Sequence, residues 1–234
     1  MSSSTPQPTE IAQALSQRVL GQEEAVREVS IAIAKRLAGL TTGNILMIGS
    51  SGTGKTSLMR AVEIYLASDA ELARHSTLVR VHANVLAEQT VEGRAGEVLL
   101  TRILDRAREQ LGDDAPLEDL LGRVSKAVVF VDEVDKIRSV VGGQPNVLGI
   151  RAQESLLTLI ENEAVPFTLP AWAGGKTVTL DASGLLFVAA GAFEGLYDSV
   201  YDRVTIGKDR GSLQSVSVLG EGSVREELQF TLRD

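Results

Sequence analysis

Cysteine is absent from the 234 residues, and histidine occurs only twice, as His75 and His82. Without thiols there is no disulfide framework and no thiolate metal centre, and two histidines are too few for a histidine-rich one. Lacking carboxylate or thiolate partners at ligand spacing, both histidines read as structural or solvated. Long apolar runs are missing too: nothing approaches the roughly 20 residues of a membrane helix. Met1–Pro8 lacks the basic and then apolar pattern of a secretory leader. A cytoplasmic chain with no membrane partner is the expectation. Basic residues are the minority, 23 Lys and Arg against 31 Asp and Glu, for a formal net charge of −8. That balance disfavours a polyanion-binding surface, so no nucleic acid is expected as partner. With 44% hydrophobic and 23% charged residues, the chain can bury a substantial core.

What is present centres on Gly49-Ser50-Ser51-Gly52-Thr53-Gly54-Lys55-Thr56, which follows the apolar run Ile45-Leu46-Met47-Ile48 and precedes a helix-patterned segment. The pattern is that of a phosphate-binding loop. Its glycines let successive backbone N–H groups curl around an anion, Lys55 adds a point charge for the outer phosphates, and Thr56 offers a hydroxyl to magnesium. Ser57 joins this candidate nucleotide-binding set. A second site feature ends the apolar run Ala127-Val128-Val129-Phe130-Val131, where Asp132 and Glu133 follow directly. A magnesium–nucleotide site needs an acidic group near the metal, and a hydrolytic one needs a group that orients or deprotonates water. Asp132 at a strand's carboxyl end can reach the metal beside Thr56, while Glu133, pointing the other way, can hold the water.

The remaining pattern alternates strands and helices. Helical spacing appears at Ile11, Leu15, Val19 and Leu20, and again from Gln22 to near Gly39. A strand over 44–48, a helix from Thr56 to about Ala67, a strand over 78–82 and a helix from about Gly96 to Leu111 follow, with a polar loop between the last two. Leu117–Val124 reads as a short helix. Residues 140–149, with Gly142-Gly143-Gln144-Pro145-Asn146, read as a mobile loop before a helix through Ala152 and Ile160. Val165–Leu169 and Thr177–Leu180 form a hairpin flanking Trp172, which either packs against the domain or contacts a partner. Leu185–Ala190 is a further buried strand. Arg102, Arg106 and Arg108, interleaved with Asp105 and Glu109, read as a solvated helix face.

These residues resemble the AAA+ ATPases, in the ClpX and HslU group of Clp/Hsp100 protein-unfolding ring ATPases. The resemblance rests on Val19-Leu20-Gly21-Gln22 before a helix, on the phosphate loop, and on Phe130 to Ile137. It extends through Gln153 to Glu161 and Leu186 to Phe193. It implies an α/β fold, the P-loop NTPase three-layer sandwich with a parallel sheet, as the AAA+ large subdomain lacking the small helical one. Residues 1–10 would be a disordered tail, 11–200 the nucleotide-binding core, and 201–234 a segment leading towards a missing small domain. The implied activity is hydrolysis of ATP with Mg2+, coupled to remodelling or unfolding of a protein substrate by a homo-oligomer, a hexameric ring in a full-length form. The alternative is a regulatory or scaffold protein that binds ATP, hydrolyses it weakly and holds a partner. Lys55 and Glu133 would be catalytic, and Thr56 and Asp132 would hold the metal. In that family the segment like Val19-Leu20-Gly21-Gln22 lies along the adenine, so Val19 and Leu20 become base-contact candidates, with helix-end packing as the other reading.

Several family features differ in this sequence. Val91 stands where the family carries a substrate-gripping tyrosine, leaving a small apolar paddle and an ordinary surface loop as readings. Residues 140–151 match a second pore loop by position, and Gly174-Gly175-Lys176 a substrate-entrance loop. Ile206-Gly207-Lys208 only echoes a peptidase-docking tripeptide, so peptidase docking is not expected. The sequence stops at Asp234, before the fifth core strand and the trans-acting arginine, and Ala190-Gly191 offers no polar group at the sensor position. Slow turnover by this chain alone is the expectation.

Overall fold

In the computed structural model, residues 5–69, 72–73, 76–89, 95–161 and 164–194 are described, and Ala127–Val131 lies at the heart of a parallel sheet. Helix α1 (Pro8–Ser16) starts inside the stretch expected to be a disordered tail. Proline presets the first helical φ, the Glu10 carboxylate accepts the Gln7 N–H at 2.9 Å, and Ile11 and Leu15 are fully buried, which together order the segment. Helix α2 (Glu23–Leu37), strand β1 (Ile45–Ile48), helix α3 (Lys55–Ala67) and strand β2 (Leu78–His82) follow.

The polar loop expected after β2 is instead helix α4 (Ala83–Gln89). Its Ala83 and Leu86 are wholly buried, so tertiary packing decides a segment too short to show a periodicity of its own. Next come α5 (Ala95–Leu111), α6 (Leu117–Val124) and β3 (Val128–Asp132). Residues 140–149 are not a loop throughout: β4 (Val140–Val141) and β5 (Gln144–Pro145) pair antiparallel, and α7 begins at Val147 and runs to Glu161. Gly142 and Gly143, at φ 57° and 77°, supply the left-handed backbone that a two-residue hairpin turn requires. The hairpin β6 (Ala164–Thr168) and β7 (Thr177–Asp181) forms as expected, and β8 (Leu186–Gly191) completes the sheet.

The order is β1-β8-β3-β2, every pair parallel. Side chains of β3 divide by parity: Val128 and Phe130 enter an apolar cluster with α1, α2 and α3, whereas Val129 and Val131 enter another with α4 to α7 and the β6–β7 hairpin. Helices cover both faces, which is why this strand reads as one continuous apolar run. The result is the α/β three-layer sandwich expected from the sequence, within a unit that ends at Gly191. No helix among the described residues is long and apolar enough to cross a membrane.

Trp172 is held by its own domain. Its indole N–H donates to Asp105 at 3.1 Å, and the Arg108 guanidinium lies 4.4 Å from the ring centroid. The helix face carrying Arg108 is therefore engaged with the hairpin and with Asp113 at 2.9 Å, rather than merely solvated. His82 ends β2 exposed, in register with Asp132. His75, Val91, Gly93, Arg94, residues 162–163, Ile206-Gly207-Lys208 and the expected domain boundary at residue 200 lie outside the described residues.

Candidate nucleotide site

The sheet delivers the carboxyl ends of β1, β8 and β3 to one edge, and the phosphate loop leaves β1 there. Gly52 and Gly54 have φ of 83° and 90°, the second directly ahead of Lys55, the first residue of α3. A residue with a Cβ adopts that backbone at a cost of about 1–2 kcal/mol, so glycine is selected by conformation. At Gly49 the reason is space: a Cβ would come within 3.0 Å of Thr53 Oγ1. The Thr53 hydroxyl donates to the Ser50 carbonyl at 2.9 Å and closes the loop on itself. The Lys55 ammonium donates to the carbonyls of Gly49 and Ser50, the latter at 2.9 Å, so the lysine lies across the loop. Ser51 and Ser57 stand exposed on either side of this arrangement.

The two halves of the site meet at one hydrogen bond. Thr56 Oγ1, from the first turn of α3, donates to Asp132 Oδ2 at 2.8 Å, and Asp132 Oδ1 accepts the Glu133 N–H at 3.0 Å. Asp132 is only 4% exposed. A hydroxyl and a carboxylate are the hard oxygen donors magnesium takes, and glycine-shaped backbone with a lysine suits a polyphosphate. These residues fit the pair Mg–nucleotide. Glu133 itself has φ 56° and ψ 40°, one of two non-glycine residues at positive φ among those described. Such strain gathers at functional positions.

Val19 and Leu20 part company. Val19 is buried in the cluster with Ile11 and Leu15, whereas Leu20 is 86% exposed. Gln22, two residues on, reaches the loop: its Cγ lies 3.8 Å from where a Gly54 Cβ would be. It lines a groove of about 430 Å3 with Ala25, Val29, Met47, Lys55 and Leu58. Gln22 is not among the residues that the sequence pattern marks for the nucleotide, although it stands in the quoted Val19-Leu20-Gly21-Gln22. A larger cavity of about 770 Å3 lies at the amino-terminal end of β3, the end opposite the site. Arg36 and Arg123 line it, their guanidinium pKa values lowered by burial, and it contains none of the candidate residues.

A strand, a glycine loop ending in Lys-Thr and a buried acidic strand end lie together at one sheet edge, an arrangement that suits a P-loop nucleotide site. Residues 40–233 match the AAA domain family (Cdc48 subfamily), and the chain belongs to that family. It is similar to the ATP-dependent Clp protease ATP-binding subunit ClpX of Bacteroides thetaiotaomicron, 31% identical over 219 residues, covering 85% of this chain and 48% of the relative. The same protein of Porphyromonas gingivalis (strain W83) is 31% identical over 218 residues, with the same coverage of 85% and 48%. ClpX 3 of Methylococcus capsulatus is 31% identical over 243 residues, covering 89% and 49%. The chain is thus an AAA ATPase domain related to the Clp unfoldase group, and it spans about half the length of the curated relatives it matches.

Proposed function

We propose that this domain binds ATP with magnesium and hydrolyses it, coupling turnover to the remodelling or unfolding of a protein substrate within a homo-oligomeric, ring-shaped assembly in the cytoplasm. The observation that carries the reading is the 2.8 Å contact between Thr56 and Asp132, residues far apart in the chain that meet where the phosphate loop starts α3. Thr56 and Asp132 hold the metal, which when bound neutralises charge on the phosphates. Lys55 moves from the loop carbonyls to the outer phosphates, the Gly49–Gly54 backbone cradles them, and Glu133 orients the attacking water and accepts its proton. Action on a polypeptide is supported by the β4–β5 hairpin, where Val140 and Val141 are 53% and 57% exposed, with Val147 at 54% beside it. Such apolar exposure suits transient contact with an unfolded chain.

The regulatory reading rests on β8, which ends in Ala190 and Gly191. The Gly191 carbonyl accepts the Gly49 N–H at 3.3 Å, and neither Ala190 nor Gly191 carries a polar side chain that could sense a terminal phosphate at this strand end. ATP affinity and turnover separate the possibilities. Lys55→Ala is expected to abolish binding, and Glu133→Gln to keep binding while cutting turnover to a small residual rate. Unchanged affinity in the Lys55 variant overturns the site. Turnover stimulated by an unfolded protein, and lost in a Val140→Ser/Val141→Ser variant, supports the remodelling role. No response to any polypeptide, with ATP still bound, favours the regulatory one.

A further inference from the structure

Asp132 ends a strand, but the turn behind it is fastened by a different element. Glu133 has a left-handed backbone, and part of what holds it is local: the Lys136 N–H donates to the Glu133 carbonyl at 2.9 Å, and the Ile137 N–H to that of Val134 at 3.3 Å. The rest comes from α7 and the residue before it. Gln153 donates from Nε2 to the Ile137 carbonyl at 2.7 Å, and Asn146 donates from Nδ2 to the next carbonyl, that of Arg138, at 2.9 Å. The Arg138 carbonyl is pressed so close to Gly149 that a Cβ there would overlap it. A carbonyl can only accept, so the NH2 of Gln153 must be the group that faces Ile137. The Ile137 side chain is 4% exposed, anchored in the core on the other side of the same peptide. The turn from Glu133 to Ile137 is therefore closed internally at one end and gripped by Gln153 at the other.

We propose that Gln153 is a positioning residue for hydrolysis: its amide holds the Ile137 carbonyl and, through the 133–137 turn, sets the backbone from which Glu133 presents its carboxylate. This rests on the reading of Glu133 as the group that orients water. Among the described residues Gln153 bonds to Ile137 and makes no hydrogen bond to the phosphate loop, Thr56 or Asp132, so its loss acts on the chemical step and spares nucleotide binding.

The test is steady-state ATP turnover by the intact protein. Gln153→Met keeps the length and removes the donor; a hydrogen bond of ordinary strength corresponds to a kcat loss of about fivefold to tenfold. KM for ATP is expected to stay within about twofold. Gln153→Glu, the second variant, sets a carboxylate against a carbonyl at neutral pH and should lose at least as much. Its deficit relative to the parent should shrink as pH falls towards about 5, because a protonated carboxyl regains an O–H donor. On a Glu133→Gln background the Met substitution should cost nothing further in residual turnover, since its effect passes through Glu133. A parental kcat in Gln153→Met, or an equal loss in the presence and absence of Glu133, overturns the inference. Parental turnover by Glu133→Gln alone instead overturns the role proposed for Glu133, and that single variant reads it out independently of Gln153.

Discussion

Glu133 combines two demands that pull apart. Its carboxylate is placed for chemistry, while its backbone sits at φ 56°, where a side chain is crowded against the following carbonyl. Asparagine tolerates this region better than glutamate. We therefore expect Glu133→Asn to raise the free energy of unfolding by about 0.5–1 kcal/mol while stopping turnover. Urea unfolding measures the first and ATP turnover the second; a variant less stable than the parent would falsify the strained geometry. The spacing of Asp132 and Glu133 behind an apolar strand is legible in the sequence. Their backbone is not, because nothing in a Val-Asp-Glu-Val string distinguishes a strand that runs on from one that kinks into a left-handed residue.

At the scale of elements, the decisive contacts are those between α7 and the turn after β3. Gly149 lies in the first turn of α7, a place where helix propensity favours alanine. Space decides otherwise, since a Cβ would overlap the Arg138 carbonyl and crowd Asn146 Nδ2 at 2.8 Å. Gly149→Ala is expected to destabilise the domain by about 1–3 kcal/mol and to lower kcat more than ATP affinity. Equilibrium unfolding that matches the parent would contradict the close approach. The opposite test is Phe130, wholly buried in β3, where truncation to alanine should cost about 3–5 kcal/mol. Elements with a strong local pattern, such as the periodic α3 and the continuously apolar β3, are readable from residue order within a residue or two. The segments at 83–89 and 140–149 are not, because α4 is seated by its neighbours and the β4–β5 hairpin depends on two positive φ values.

For the whole molecule, a two-faced core brings the phosphate loop, Thr56 and Asp132 to one sheet edge while leaving the 770 Å3 cavity at the other. Nucleotide that binds only this folded arrangement should stabilise it by about 2.7 kcal/mol at a hundredfold excess over Kd. Chelating magnesium, or changing Asp132→Asn, is expected to remove much of that gain. Thermal unfolding with ATP in the presence and absence of EDTA reads it, and an unfolding midpoint indifferent to ATP would rule out a nucleotide site.

Residue order by itself determined the loop from Gly49 to Thr56, the acidic strand end and the alternation of strands and helices, because each of these is a local pattern with a local cause. Glycine is needed where backbone must turn or approach an anion, and apolar residues run together where a strand is covered twice. Residue order already put Asp132 beside Thr56; only the tertiary structure decided that the two bond directly, that Gln22 lies against the loop while Leu20 is exposed, and that Gln153 grips the turn behind Glu133. Those pairings join segments separated by long stretches of chain, and which of many possible partners meet is settled by how two helical layers pack on one sheet.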